Sequence, residues 1–162
     1  MISQQTKNST SKKNMGVIIS GFPGCGMTWL KEEYGKKISI AKLNQEEFSS
    51  IEEYVSAISE KSDTADIVLA STDNHARKAL NDKEIDFDYF YPGESRRLEF
   101  LMNAVRKKNN MEANKKLDSE WVDMIEAVEA ENFPHCRKHC LKNAGEYIGN
   151  DLMVKNYISN FH

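Results

Sequence analysis

The sequence predicts one α/β domain, a parallel sheet of about five strands covered by helices on both faces. Three observations carry this. Short β-branched runs, Val17-Ile18-Ile19 and Ile67-Val68-Leu69-Ala70, read as strands buried on both sides. Segments with helical spacing alternate with them. A chain of 162 residues suits a single domain and can bury a core without disulfide or metal staples.

The elements follow in order. Residues 1–14 are polar and aperiodic and read as a disordered tail; residues 15–162 make the domain. The first strand ends at Ser20-Gly21, a glycine-rich loop follows, and residues 28–36 read as a short helix. Residues 38–40 are a weak second strand. Ile51, Tyr54, Val55 and Ile58 give a helix, with Ser50 and Glu53 as a capping box. After the strand at 67–70 comes a short helix, residues 74–80, and then a strand from Phe87 that stops at Pro92-Gly93.

Residues 95–107 are helical by pattern, with Leu98, Leu101, Met102 and Val105 on one side. Residues 106–116 are charged and Asn-rich and read as a mobile loop or lid. Asp118 is expected to cap a helix carrying Trp121, Met124, Ile125 and Val128. Residues 136–141 read as a last strand, and Gly145-Glu146 as the opening of a C-terminal helix. Three loops should meet at the carboxyl ends of the strands: residues 21–28, 71–75 and 91–95.

Bulk chemistry narrows the partners. The 22 basic and 25 acidic residues leave a formal net charge of −3, with no electrostatic footprint for duplex nucleic acid or an anionic membrane. No apolar run reaches the length needed to span a bilayer. Three cysteines without a secretory pattern read as reduced thiols in a cytoplasmic protein. His135, Cys136, His139 and Cys140 repeat at i, i+4, but Pro134 and the apolar flanks favour a strand or turn over a metal site.

The loop carries the chemistry. Gly21-Phe22-Pro23-Gly24-Cys25-Gly26-Met27-Thr28 fits the phosphate-loop pattern G-x-x-x-x-G-K-[ST] at every defined position but one. Glycines let backbone N–H groups turn inward toward phosphate oxygens, and the helix that follows adds partial positive charge. Thr28 offers a hydroxyl to Mg²⁺. Met27 stands where a lysine would hold the β- and γ-phosphates. Lys31, Lys36 and Lys37 lie near in sequence and can partly replace that charge, or are solvated helix-surface lysines.

The chain resembles a family of small P-loop nucleotide-kinase-like proteins of bacteriophages and bacteria, with a degenerate phosphate loop. The resemblance runs from about Gly16 to Asp151. It rests on Ile18-Ile19-Ser20-Gly21-Phe22-Pro23-Gly24, Asp66-Ile67-Val68-Leu69-Ala70-Ser71, Arg77 with Ala79-Leu80, Tyr91-Pro92, and Gly145-Glu146-Tyr147-Ile148. It implies a P-loop NTPase-like three-layer sandwich and phosphoryl transfer from ATP, with Mg²⁺, to a nucleotide or nucleoside. Two departures stand against it. The loop lysine is Met27, and the acidic, serine-rich stretch expected after the second strand reads Ala41-Lys42-Leu43-Asn44.

Candidate roles follow. Gly21, Gly24, Cys25, Gly26, Met27 and Thr28 form the nucleotide-binding loop. Asp73 is a catalytic base or, with Thr28, a Mg²⁺ partner, or else the cap of the helix after it. Arg77 grips an acceptor phosphate or forms a salt bridge. Arg96, Arg97, Arg106 and Lys107 are lid cations or a solvated face; Arg106, at the helix-to-loop junction, is the candidate for stabilising the transferring group. Two functions remain open: a kinase-like phosphotransferase, or an inactive pseudokinase that holds a nucleotide or contacts a protein partner or a second copy.

Overall fold

The strand that feeds the glycine loop lies in the middle of the sheet. In the computed structural model, which describes residues 16–108 and 110–160, the strand order is β2-β3-β1-β4-β5. The strands are β1 (Val17–Gly21), β2 (Ile40–Leu43), β3 (Ile67–Ala70), β4 (Phe87–Pro92) and β5 (Cys136–Leu141). Every pairing is parallel: Val17 opposes Ile67, Ile19 opposes Asp88, Ile40 also opposes Ile67, and Phe87 opposes Cys136. The expected disordered tail lies outside the described residues.

The order has a direct consequence. From β1 the chain leaves toward β2, and from β4 it leaves toward β5 on the opposite side. Chains that part this way open a crevice at the carboxyl ends of the strands. The glycine loop sits at that crevice.

Six α-helices cover the sheet: α1 (Met27–Tyr34), α2 (Ile51–Ser62), α3 (Asn74–Asp82), α4 (Arg97–Arg106), α5 (Met111–Ala130) and α6 (Leu152–Ser159). On one side α1 and α6 both pack on a short 3-10 turn, Ile148–Asn150. On the other, α2 packs on β1, β3 and α3, and α5 packs on β4. Right-handed crossovers require this split, since only the β1-to-β2 connection runs against the others.

The core joins both layers. Ile19, Ile67, Leu69 and Phe90 of the strands are buried with Leu30 of α1, Ile58 of α2, Leu80 of α3 and Trp121 and Ile125 of α5. Burying an aliphatic side chain of this kind stabilises the fold by roughly 1.5–3 kcal/mol. The expected inner face of α2 is the observed one, with Tyr54, Val55 and Ile58 buried.

Several sequence expectations are corrected. The second strand is Ile40–Leu43, two residues later than expected, because Ile38 belongs to the turn leaving α1. Residues 106–116 are not a loop: α5 begins at Met111, where Asn110 Oδ1 accepts the Ala113 N–H at 2.7 Å. Asp118 is therefore mid-helix and pairs with Arg97 instead of capping. The side of α4 with Leu98, Met102 and Val105 faces outward, while Phe100 and Ala104 are buried. The last helix starts at Leu152, capped by Asp151, after the 3-10 turn. Ser50 caps α2 as expected, accepting from the Glu53 N–H at 3.1 Å, but the Glu53 carboxylate takes the Ser49 hydroxyl at 2.6 Å, so the box is half formed.

Candidate functional site

The glycine loop is held by what lies beneath it. Phe22 is buried edge-on against Phe100 and Trp121, with ring centroids 6.5 and 5.4 Å away. Its N–H donates to Phe90 O on β4 at 2.8 Å. Cys25 also turns inward, 1% exposed, with Sγ 3.6 Å from Phe90 O. Burial pushes its thiol up to about 12, so it is no nucleophile near neutral pH. Its N–H donates to Phe22 O at 3.1 Å, and its carbonyl accepts the Ile148 N–H at 2.9 Å. Cys25 thus anchors the loop from within.

Two glycines give the loop its shape. Gly24 and Gly26 have φ of 91° and 103°, values that side chains resist. A Cβ on Gly24 would also meet the Phe100 ring at 3.1 Å. Gly26 is the N-cap of α1, and no side chain caps it; the first turn holds no acidic residue. By contrast Ser50, Asp73, Asn110 and Asp151 cap α2, α3, α5 and α6 with side-chain oxygens. The N–H groups opening α1 therefore face outward with the positive end of the helix behind them.

A cavity lies on each side of this loop. The larger, about 580 Å³, is lined by Gly21, Pro23 and Met27 on the loop side and by Gln45, Glu46, Ser71, Thr72 and Asp73 opposite. The smaller, about 340 Å³, is lined by Gly24, Gly26 and Trp29 with Asn103, Lys107, Tyr147, Gly149 and Asn150. Of the three loops expected to meet, those after β1 and β3 do so. The loop after β4 does not line either cavity; residues after β2 and after β5 take its place.

The far wall of the larger cavity is bonded across strands. The Tyr54 hydroxyl lies 2.6 Å from Ser71 O and 3.0 Å from Leu43 O, tying the ends of β3 and β2 together from α2. Gln45 N–H donates to Ser71 Oγ at 3.0 Å. Asp73 Oδ1 accepts the Ala76 N–H at 2.8 Å and so caps α3. Its other oxygen accepts from Gln45 Nε2 at 3.0 Å. Each carboxylate oxygen keeps a further lone pair toward the cavity.

Arg77 is near this wall but inside it. Its guanidinium donates to both oxygens of Glu131, at 2.8 and 2.7 Å, and to Thr72 O at 2.6 Å. It lies over the Tyr89 ring, 4.3 Å from the centroid. Burial works to lower its pKa, and the bonds to Glu131 more than offset that and raise it. Arg77 is a buried strut that sets Thr72, whose Oγ1 is 2.7 Å from the buried Ser20 hydroxyl on β1.

The smaller cavity has a matching support. Arg96 is buried, donating to Leu141 O at 3.0 Å, Glu146 O at 2.6 Å and Glu99 at 2.6 Å. Tyr147 donates to Glu99 at 2.5 Å, and Asn103 Nδ2 donates to the Tyr147 hydroxyl at 2.6 Å. Arg96 foremost, with Tyr147 and the Gly145 N–H, holds the Glu99 carboxyl down at about 2. Arg106 is exposed, bonded to Asn103 at 3.2 Å, and lines neither cavity; Lys107, one residue on, lines the smaller.

One departure from the P-loop resemblance disappears. With β2 ending at Leu43, the stretch after the second strand is Asn44-Gln45-Glu46-Glu47-Phe48-Ser49-Ser50, which is acidic and serine-rich. Met27 remains a true departure. The donor set suits Mg²⁺, which takes one or two carboxylates and completes its shell with substrate phosphates and water. Asp73 would supply the carboxylate and Thr28, exposed at the start of α1, the hydroxyl. Among the described residues, no group of three or more His, Cys, Asp or Glu is placed to hold a metal alone. His135 and His139 instead bond Asp86 and Asp88, each at 2.7 Å.

Among the described residues, no helix is long and apolar enough to cross a membrane. Comparison with models of known protein families and with curated proteins gives no match to this chain.

Proposed function

We propose that the chain is a nucleotide- or nucleoside-kinase-like phosphotransferase that uses ATP with Mg²⁺. One observation carries this: a glycine loop opening an uncapped helix, at the crevice of a parallel sheet, with a cavity on each side. Phosphoryl transfer needs that layout, with phosphates held in the middle, the donor's nucleoside on one side and the acceptor on the other.

The smaller cavity suits the donor nucleoside, since Trp29 and Tyr147 offer aromatic faces and Asn103 and Asn150 offer polar edges. Gly24, Gly26, Met27 and Thr28 present backbone N–H groups to the phosphates. Mg²⁺, when bound by Thr28 and Asp73, would neutralise charge on the donor phosphates. Asp73 orients the attacking group and accepts its proton. Lys107 supplies a cation beside the loop in place of the lysine absent at position 27.

Met27 favours a second reading on the same site, in which nucleotide is held without transfer, as in a pseudokinase. Backbone amide shifts on adding ATP·Mg²⁺ test the shared part. The reading expects the largest changes at Gly24, Gly26, Met27 and Thr28. Changes confined to other surfaces would refute it.

A further inference from the structure

The larger cavity carries information about the acceptor's charge. This rests on the donor reading above. Its far wall is Gln45, Glu46, Ser71, Thr72 and Asp73: an amide, two hydroxyls and two carboxylates, with no basic residue among the lining side chains. A site that grips a phosphorylated acceptor needs cations there.

The arginine that the sequence offers for that task is committed elsewhere. Arg77 is 5% exposed, and its arms are held by Glu131 and Thr72. Swinging it into the cavity would strand the Glu131 carboxylate, itself 6% exposed, without a counter-charge. Lys78, the next cation on α3, pairs with Asp82 one turn further along. A phosphate dianion entering this space would be desolvated beside Glu46 and Asp73 with nothing to balance it. Hydroxyl groups meet no such penalty, since carboxylates and the Gln45 amide accept and donate to them directly.

We infer that the acceptor is an unphosphorylated, hydroxyl-bearing molecule of nucleoside size, and not a nucleoside monophosphate. The acceptor oxygen attacks the γ-phosphorus of ATP. An O–P bond forms as the bond from that phosphorus to the β–γ bridging oxygen breaks, and ADP leaves with the electron pair. The acceptor's proton passes to the Asp73 carboxylate and from there to water.

The test has two stages. Calorimetry with ATP·Mg²⁺ on the full chain carrying Met27→Lys comes first; absence of binding there refutes the donor reading, and the acceptor inference falls with it. The ATP-loaded chain is then offered adenosine, guanosine, cytidine and thymidine, and separately their 5′-monophosphates, with products identified by mass spectrometry. The nucleosides should gain phosphate, and the monophosphates should be poorer by about tenfold or more, the factor that one unbalanced charge contact commands. Glu46→Lys should shrink that difference. Monophosphates consumed as readily as nucleosides would overturn the inference while leaving the donor reading intact. So would a chain that loads ATP and phosphorylates neither set.

Discussion

Gln45 and Asp73 exchange two hydrogen bonds: Gln45 Nε2 donates to Asp73 Oδ2, and Asp73 N–H donates to Gln45 Oε1, both at 3.0 Å. The pair joins the loop after β2 to the loop after β3 and fixes the carboxylate that faces the phosphate loop. Asp73 also caps α3, so its two roles need separating. Asp73→Ala should cost about 1 kcal/mol, the usual price of a lost N-cap. Asp73→Asn keeps a capping oxygen and should fall within about 0.5 kcal/mol of the native chain. Urea unfolding checks both. Phosphoryl transfer should be lost in both variants, since neither side chain accepts a proton or carries charge; transfer that survives in Asp73→Asn would remove Asp73 from the chemistry.

Arg77 and Glu131 predict a large stability effect. Both are buried, and removing one leaves the other uncompensated, which costs about 3–5 kcal/mol. Arg77→Met should therefore destabilise strongly. The double variant Arg77→Met, Glu131→Leu should recover most of that loss, because it buries no lone charge. Chemical denaturation of the three chains decides it. An Arg77→Met chain of native stability would contradict a strut role and return Arg77 to the candidates for ligand contact.

Much of the architecture is legible in the sequence, and the limits have physical causes. β1 and β3 announce themselves because a strand buried on both faces must be continuously apolar, as at Ile67–Ala70. β2 was misplaced by two residues because Lys42 and Leu43 are half-buried at a sheet edge, where the pattern weakens. That small slip hid Glu46 and Glu47 from their place after the strand. The stripe of Leu98, Met102 and Val105 misleads, since periodicity shows that a face exists and not which way it turns. Arg77–Glu131 and Arg96–Glu146 join residues about fifty apart, and no local spacing encodes such pairs. Lys107 was visible as charge, but only the fold sets it beside Gly24 and Gly26.

Acid should weaken the wall of the smaller cavity. Glu99 is held at about 2 in the folded chain against 4.5 for the free group. A depressed carboxyl contributes stability above the unfolded value, and that stability is lost as pH falls through the folded value. The loss should therefore run from about pH 4.5 to about pH 2. Asp88 acts in the same direction: burial opposes its charge, but bonds from His139 and Arg137 prevail and lower its pKa. Glu99→Gln should flatten part of this acid limb in denaturation curves taken at several pH values. An unchanged limb would show that Glu99 is not coupled to folding.

Cys25 should resist thiol reagents while the loop is intact. Its thiol is buried and pushed up to about 12. Iodoacetamide at neutral pH should label Cys140 before Cys25, and urea should abolish the difference. Rapid native labelling at Cys25 would mean that the loop opens far more than its packing on Phe90 and Phe100 implies.

The most direct test of the phosphate loop is calorimetry with ATP·Mg²⁺ on the native chain and on Met27→Lys. A lysine at this position adds a charge-assisted contact worth about 1.5–3 kcal/mol. Binding should be weak in the native chain and tighter by roughly tenfold to a hundredfold in Met27→Lys. No gain on substitution would contradict the account, since a loop shaped for phosphate cannot be indifferent to that charge.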